Sequence, residues 1–387
     1  MRTLLIPTSD WLCHPFPQRL NHIFERIANN NEVHVIRFKL YKGKERDTNL
    51  IVHEINDHKV ENLALYYFIN SGILFKMIKE LTSTYNFDNV VISNLLAGYI
   101  TTKAVRPDIP IIFDLSDHFP SIGAGFYLKP QSSLGSIAEA FLEEILIKTL
   151  NNVKLTITCS DKLINYCRSR KINNVKKVTN GVSEIFFKKT TKSKNIKKIY
   201  DLSDKLVIGY LGSIEFWLEL APLLKAVKIL RKKYNIKFLL IGNKLQSKKL
   251  NNICNKIKRL GIEENILWLD FIPYNEVPVY IDCMDICTIP FNLKYPTVYY
   301  STPNKLLEYF ARGKPVISSR IPEFINRYKN LIEFAETPAE YIKAINKIVK
   351  EDLQENNNSE LRINIAKNFT WDNLANKYES YLCAHNM

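Results

Sequence analysis

The sequence has no apolar run long enough to cross a bilayer. A spanning helix needs about 20 predominantly apolar residues. The longest candidate here, 63–81, is interrupted by Asn70, Ser71, Gly72 and Lys76. No secretory leader is expected, because Leu4-Leu5-Ile6 is too short for an apolar core and meets Pro7. The seven cysteines form no CxxC pair, and Cys283 and Cys287, one helical turn apart, have no companion His or Cys cluster. Buried free thiols in a reducing compartment are the expectation, not a metal site. The GxGxxG fingerprint and the P-loop are both missing, which argues against a dinucleotide oxidoreductase.

What is present is an ordinary globular composition, 46% hydrophobic and 24% charged, over 387 residues. That length exceeds what one hydrophobic core usually serves, so two domains are expected. One sign of charge dominates, at a net +15. Part of the excess is local, with Lys188, Lys189, Lys192, Lys194, Lys197 and Lys198 crowded together in what reads as a solvated linker. The remainder would attract anionic membrane surfaces, acidic substrates or nucleic acid.

Short apolar strands alternate with amphipathic helices along the chain. Strands are expected at 2–7, 32–39, 89–93, 109–114, 155–159 and 175–178, with helices at 18–29, 63–81, 96–103 and 137–150. Asn180-Gly181 then marks a turn. The pattern restarts with strands at 206–212, 236–241, 265–271 and 285–290, and ends with a helix over 371–382. Such alternation implies an α/β fold of two doubly wound parallel sheets, with ligands outside the carboxyl ends of the strands. The expected domains are 1–185, a lysine-rich linker 186–204, and 205–358, with helices in 359–387 crossing back to the first domain.

The second half is organised around 299–317, read as loop, helix and buried strand. Thr302 suits an N-cap and Pro303 the first helical position. Free N–H groups of Ser301 and Thr302, the helix dipole and Lys305 would together attract an anion. Glu308 lies roughly 8 Å further along the axis at about 1.5 Å per residue. A phosphate at the tip and a ribose against Glu308 suit a nucleoside diphosphate. The plain alternative is a surface helix whose Lys and Glu are solvated.

Several segments, in this order, resemble glycosyltransferase family 4 of GT-B architecture: Thr179-Asn180-Gly181-Val182, Gly209-Tyr210-Leu211-Gly212-Ser213, Phe238-Leu239-Leu240-Ile241-Gly242, 277–290, Pro303-Asn304-Lys305-Leu306-Leu307-Glu308-Tyr309 and Gly313-Lys314-Pro315-Val316. The resemblance implies two Rossmann-like domains facing a cleft, and retaining, metal-independent sugar transfer from a UDP- or GDP-sugar, with no other cofactor. In keeping with that, no Asp-x-Asp motif is present to hold a cation against the diphosphate. It implies donor contacts from Gly212, Ser213, Gly242, Asn243, Ile272, Ser301, Thr302, Pro303, Lys305 and Glu308. Asp117 or His118 would be the catalytic or sugar-contacting group, and Ser9, Asp10 and Trp11 would line the acceptor side. Two positions depart from the family pattern: Tyr300 stands where a second glutamate is usual, and Ser213-Ile214-Glu215-Phe216-Trp217 lacks the usual Arg and Lys.

The expected partners are a nucleotide sugar, a glycan or lipid-linked acceptor of the cell envelope, and an anionic membrane at its cytoplasmic face. Nucleic acid is not expected, because the lysines cluster in a presumed linker instead of interleaving with aromatics. A nucleotide-sugar 2-epimerase of the same architecture and a non-catalytic basic scaffold or nucleic-acid binder are the competing readings.

Overall fold

The computed structural model describes residues 1–58, 63–128, 132–243, 248–353 and 358–384. It divides into two compact units, Met1–Asn180 with Trp371–Met387, and Gly181–Thr370.

The first unit is built on seven strands: β1 Arg2–Ile6, β2 Glu32–Arg37, β3 Ile51–Glu54, β4 Asn89–Ile92, β5 Ile111–Leu115, β6 Leu155–Thr158 and β7 Val175–Lys177. They lie in the order β3-β2-β1-β4-β5-β6-β7, and every pairing is parallel. β4, β5 and β6 are buried along their whole length, as expected when helices cover both faces. The helices used below are α1 Arg19–Ile27, α2 Leu63–Ile69, α3 Ser71–Thr84, α4 Leu95–Ala104, α5 Phe119–Tyr127 and α6 Ser133–Leu150.

Six parallel strands form the second unit: β8 Leu206–Leu211, β9 Ile236–Ile241, β10 Ile266–Leu269, β11 Ile286–Ile289, β12 Val316–Ser318 and β13 Glu333–Phe334. Their order is β10-β9-β8-β11-β12-β13. Both sheets are thus doubly wound, and the expected fold class holds.

Three local expectations change. The apolar stretch 63–81 is two helices, not one, because Asn70 diverts its side chain to the backbone: Oδ1 accepts from His58 N at 2.8 Å, and Nδ2 donates to the carbonyls of Tyr66 and His58. The lysine-rich segment 186–204 is no free linker. Its residues Lys192–Ile199 form a helix inside the second unit, with Lys197 reaching Asp285 at 3.3 Å. The helix Ser359–Lys367 stays with the second unit, and the chain returns to the first at Trp371.

That return is anchored by the helix Trp371–Cys383, which packs along α1. Trp371, Leu374, Tyr378 and Leu382 are buried in the first unit's core, and the Trp371 indole stacks on His22 at 4.8 Å between centroids. Arg26 pairs with Asp372 at the rim. Removing a buried indole typically costs about 3–5 kcal/mol. Trp371→Ala should therefore lower the first unit's unfolding midpoint strongly in thermal denaturation, and an unchanged midpoint would show that this helix does not hold the unit together.

Candidate functional site

In the second unit the carboxyl ends of β8 and β9 run directly into glycines. Leu211 pairs with Ile241 across the two strands, Gly212 N donates to Ile241 O at 2.9 Å, and Gly242 N donates to Leu269 O at 3.1 Å. Both glycines are required by space. A Cβ on Gly242 would stand 2.3 Å from the Gly212 carbonyl oxygen. A Cβ on Gly212 would stand 2.2 Å from Cε and 2.6 Å from Nζ of Lys305. Gly212 also has φ +146°, a conformation that side chains disfavour.

The Lys305 side chain therefore lies across the Gly212 turn. Beneath it are the rings of Tyr210 and Phe291, with centroids 5.8 and 5.9 Å from Nζ, a floor suited to a cation. The helix Lys305–Ala311 is tied to β8 one turn further on, where the buried Tyr309 phenol accepts from Leu211 N at 3.3 Å. Its far end is held by Arg312, which grips Asp282 through Nε and Nη2 at 2.8 and 2.5 Å and donates from Nη1 to the carbonyls of Phe186 and Lys188. The loop after Gly212 is pinned to the end of β11, through Glu219 N to Pro290 O at 2.7 Å and Asn292 N to Trp217 O at 2.8 Å.

Burial lowers the Lys305 ammonium from its ordinary pKa, and the charge of Glu308 partly restores it. Burial likewise pushes Glu308 up to about 7, against the pull of Lys305. Among the described residues the Glu308 carboxylate has no hydrogen bond or ion pair shorter than 4 Å. The carboxyl of Glu215 is in the same condition, raised by burial alone. Buried charged groups usually find partners, so this surface carries polar capacity that the fold itself leaves unused.

The helix start differs from the expectation. It begins at Lys305, not Pro303, and Thr302 is not its N-cap. Ser301 is committed to the preceding helix Pro296–Tyr300, with both its N and Oγ donating to Val298 O at 3.3 and 3.0 Å, so its N–H is not free for an anion. Pro303 lies before the helix and its carbonyl accepts from Leu306 N. Ser213 O accepts from the Tyr210 hydroxyl at 2.9 Å, and Asn243 Oδ1 accepts from Ile214 N at 3.4 Å. Ile272 is half-buried against the unit's core.

In the first unit the expected acceptor-side residues are mostly structural. Asp10 Oδ1 accepts from Leu12 N, Cys13 N and Arg37 Nε, and Oδ2 from Tyr41 N. Trp11 is buried, its indole N–H donating to Glu25 and Thr48 at 3.1 Å. These two residues brace their loop and present nothing to an acceptor. Ser9 is half-buried and donates to Gln18 at 3.2 Å. His118 caps α5 through Ser121 N at 3.4 Å, and its Nε2 faces Glu143 Oε2 on α6 at 3.4 Å. Both its nitrogens are engaged. Asp117, beside it, has no side-chain hydrogen bond or ion pair among the described residues. Burial, with Asp114 adding to it and Arg19 opposing, pushes its carboxyl up to about 7.

Sequence reasoning overlooked Arg19 and Asp114. They form a buried pair at 3.1 Å, and Arg19 also donates to the carbonyls of Val178 and Thr179 and to Asn180 Oδ1. The signal available was an arginine in the first turn of the helix after β1, opposite an aspartate inside an otherwise apolar strand. No group of three or more His, Cys, Asp or Glu among the described residues could hold a metal ion.

A carboxylate raised by folding favours the folded state at low pH and loses that contribution as pH climbs through its folded value. For Glu308 the window runs from the ordinary carboxylate range up to about 7. Glu308→Gln should therefore raise the thermal midpoint of the ligand-free protein at pH 8 and leave it nearly unchanged near pH 4. A drop at pH 8 would contradict the burial cost assigned to this group.

Residues 205–351 match the family model described as glycosyl transferases group 1. A candidate teichuronic acid biosynthesis glycosyltransferase of Bacillus subtilis, TuaH, is 26% identical over 233 residues, which are 58% of this chain and 56% of that protein. The chain thus spans little more than half the length of this curated relative. Among solved structures, HepE of Anabaena in complex with UDP-glucose superposes with a TM-score of 0.76 at 13% identity, covering 99% of this chain and 100% of that one. Sucrose-phosphate synthase of Thermosynechococcus elongatus gives 0.76 at 14% identity, over 99% and 100% of the two chains. The two parallel-sheet units have the GT-B fold, and residues 205–351 form a group 1 glycosyl transferase domain.

Proposed function

We propose that the protein transfers a sugar, with retention of anomeric configuration and without a metal, from a UDP- or GDP-sugar to a glycan or lipid-linked acceptor of the cell envelope. The observation that carries this reading is the Lys305 side chain laid across the Gly212 turn, with the unpaired Glu308 carboxylate less than one turn away. In retaining transfer the bond between the anomeric carbon and the diphosphate oxygen breaks, and negative charge grows on the leaving phosphate. Lys305 is placed to meet that charge. It sits over aromatic rings, in surroundings where a fixed positive charge acts more strongly than in water. The absence of an Asp-x-Asp motif from the sequence supports a lysine in place of a cation. Glu308 accepts from ribose hydroxyls, and Gly212, Ser213, Gly242 and Asn243 supply the close backbone approach.

On the acceptor side we assign Asp117. Its carboxyl, held near neutrality at about 7, is matched to taking a proton from an attacking hydroxyl near physiological pH. His118 orients the turn that carries it. The envelope acceptor draws support from the likeness to TuaH, a candidate in teichuronic acid biosynthesis. The UDP-sugar draws support from HepE, whose structure holds UDP-glucose.

Isothermal titration with UDP, GDP and their sugars tests the donor site. Lys305→Ala and Glu308→Ala should each weaken nucleotide binding by about ten-fold, the loss of one charged hydrogen bond. Lys305→Ala should depress turnover further, since its charge counts most as the diphosphate departs. Unchanged affinity and turnover in both variants would remove the site assignment. Rapid donor conversion without any acceptor would replace transfer with 2-epimerisation.

A further inference from the structure

The turn that follows Gly212 brings a second carboxylate to the carboxyl end of β8, and the turn is held on both sides. Ile214 is buried, with Cγ1 3.2 Å from where a Cβ on Gly242 would stand, and its N donates to Asn243 Oδ1. Leu218 bridges to Phe291, whose ring lies under Lys305. With Glu219 N on Pro290 O and Asn292 N on Trp217 O as well, residues 213–219 are a fixed part of the Lys305 surface.

Glu215 stands in the middle of that turn, half-buried and three residues from Gly212. Burial raises the Tyr210 phenol above its ordinary pKa and the charge of Glu215 adds to the rise, so this carboxylate lies near the ring that floors Lys305. Among the described residues it has no hydrogen bond or ion pair, and burial alone acts on it. Beside it Phe216 packs edge-on against Trp217 and Tyr295, with ring centroids 4.8 and 5.1 Å apart. All three rings are half-buried. Aromatic faces next to an unpaired carboxylate suit a pyranose, whose C–H face lies against a ring while its hydroxyls donate to the acid.

Charge restricts which sugar can do this. The carboxylate of an acidic sugar offers acceptor oxygens only, so it makes no hydrogen bond to an ionised Glu215. Two like charges in a half-buried site also repel more strongly than in water. Neighbouring cations do not relieve that repulsion at the turn: Lys305 is assigned to the diphosphate, and Arg320 is held by Glu340 at 2.8 and 3.4 Å.

We propose that Glu215 selects the transferred sugar, admitting a neutral, hydroxyl-bearing hexose and excluding nucleotide donors of acidic sugars. The proposal rests on the donor site described above and adds to it the class of sugar and the residue that chooses it.

Isothermal titration at pH 8 tests it on the full chain and on Glu215→Gln, comparing UDP-glucose with UDP-glucuronate and GDP-mannose with GDP-mannuronate. In the wild type the acidic donor should bind at least about ten-fold more weakly than its neutral counterpart. Glu215→Gln should shrink that ratio to about three-fold or less, since the repelling charge is gone. Affinity for the bare nucleotide should be unchanged in the variant, a split that a loss of folding would not produce. Glu219→Gln removes the other acid of the turn, whose Oε1 accepts from Ala221 N at 3.1 Å, and should leave the ratio where it was. Equal binding of neutral and acidic donors by the wild type, or a ratio that Glu215→Gln does not move, would overturn the proposal while leaving the donor site in place. So would tighter binding of the acidic donor that Lys294→Gln abolishes, because the sugar acid would then meet this exposed lysine on the turn after β11. Failure of both UDP and GDP to bind would instead remove the donor site and this selectivity together.

Discussion

A lysine side chain occupying the space where a glycine has no Cβ is the contact on which the second unit's chemistry depends. Lys305 crosses Gly212, and Gly212 is itself pressed against Gly242. The close approach requires β8 and β9 to end in register, with Leu211 opposite Ile241. It also requires the helix that bears Lys305 to be fixed to β8, which the Tyr309 phenol does through Leu211 N. Glu308 and Glu215 then stand partly buried without the hydrogen bonds that would offset their burial. That is the condition of a surface prepared for a polar ligand, and it runs against the stability of the empty protein.

The first unit reaches a comparable state by different means. Arg19 uses its nitrogens on Asp114 and on the carbonyls of Val178 and Thr179, tying α1 to the end of β5 and to the chain beyond β7. Asp117, three residues later, is raised by burial, while the charge of Arg19 opposes that rise and the smaller effect of Asp114 adds to it. The pair therefore sets the electrostatic surroundings of the carboxyl to which the acceptor chemistry is assigned.

The two sheets were legible because parallel strands buried on both faces read as apolar runs, and β4, β5, β6, β8 and β9 carry little else. The edge strand β3, Ile51–Glu54, was not, since its burial pattern mixes exposed and half-buried positions and lacks that signature. Lys305, Glu308 and Gly212 could be picked from motif order, but their meeting depends on a tertiary contact between residues 93 apart. The true helix start escaped because Ser301 satisfies the end of the preceding helix, a competition that propensity alone does not register. Asp10 and Trp11 misled for a related reason. Polar and aromatic residues after a first strand look poised for ligands, yet here they hold the loops of 11–13 and 41–48 in place.

The return of the chain at Trp371 bears on the order in which the molecule is made. Residues 181–370 are contiguous and carry their whole core with them. The first unit is not self-sufficient in that sense, because Trp371, Leu374, Ala375, Tyr378 and Leu382 fill part of its interior. During synthesis from the amino end, α1 must wait with an uncovered apolar flank until the closing helix leaves the ribosome. The second unit can thus finish folding before the first, which completes itself only once the helix Trp371–Cys383 has been made.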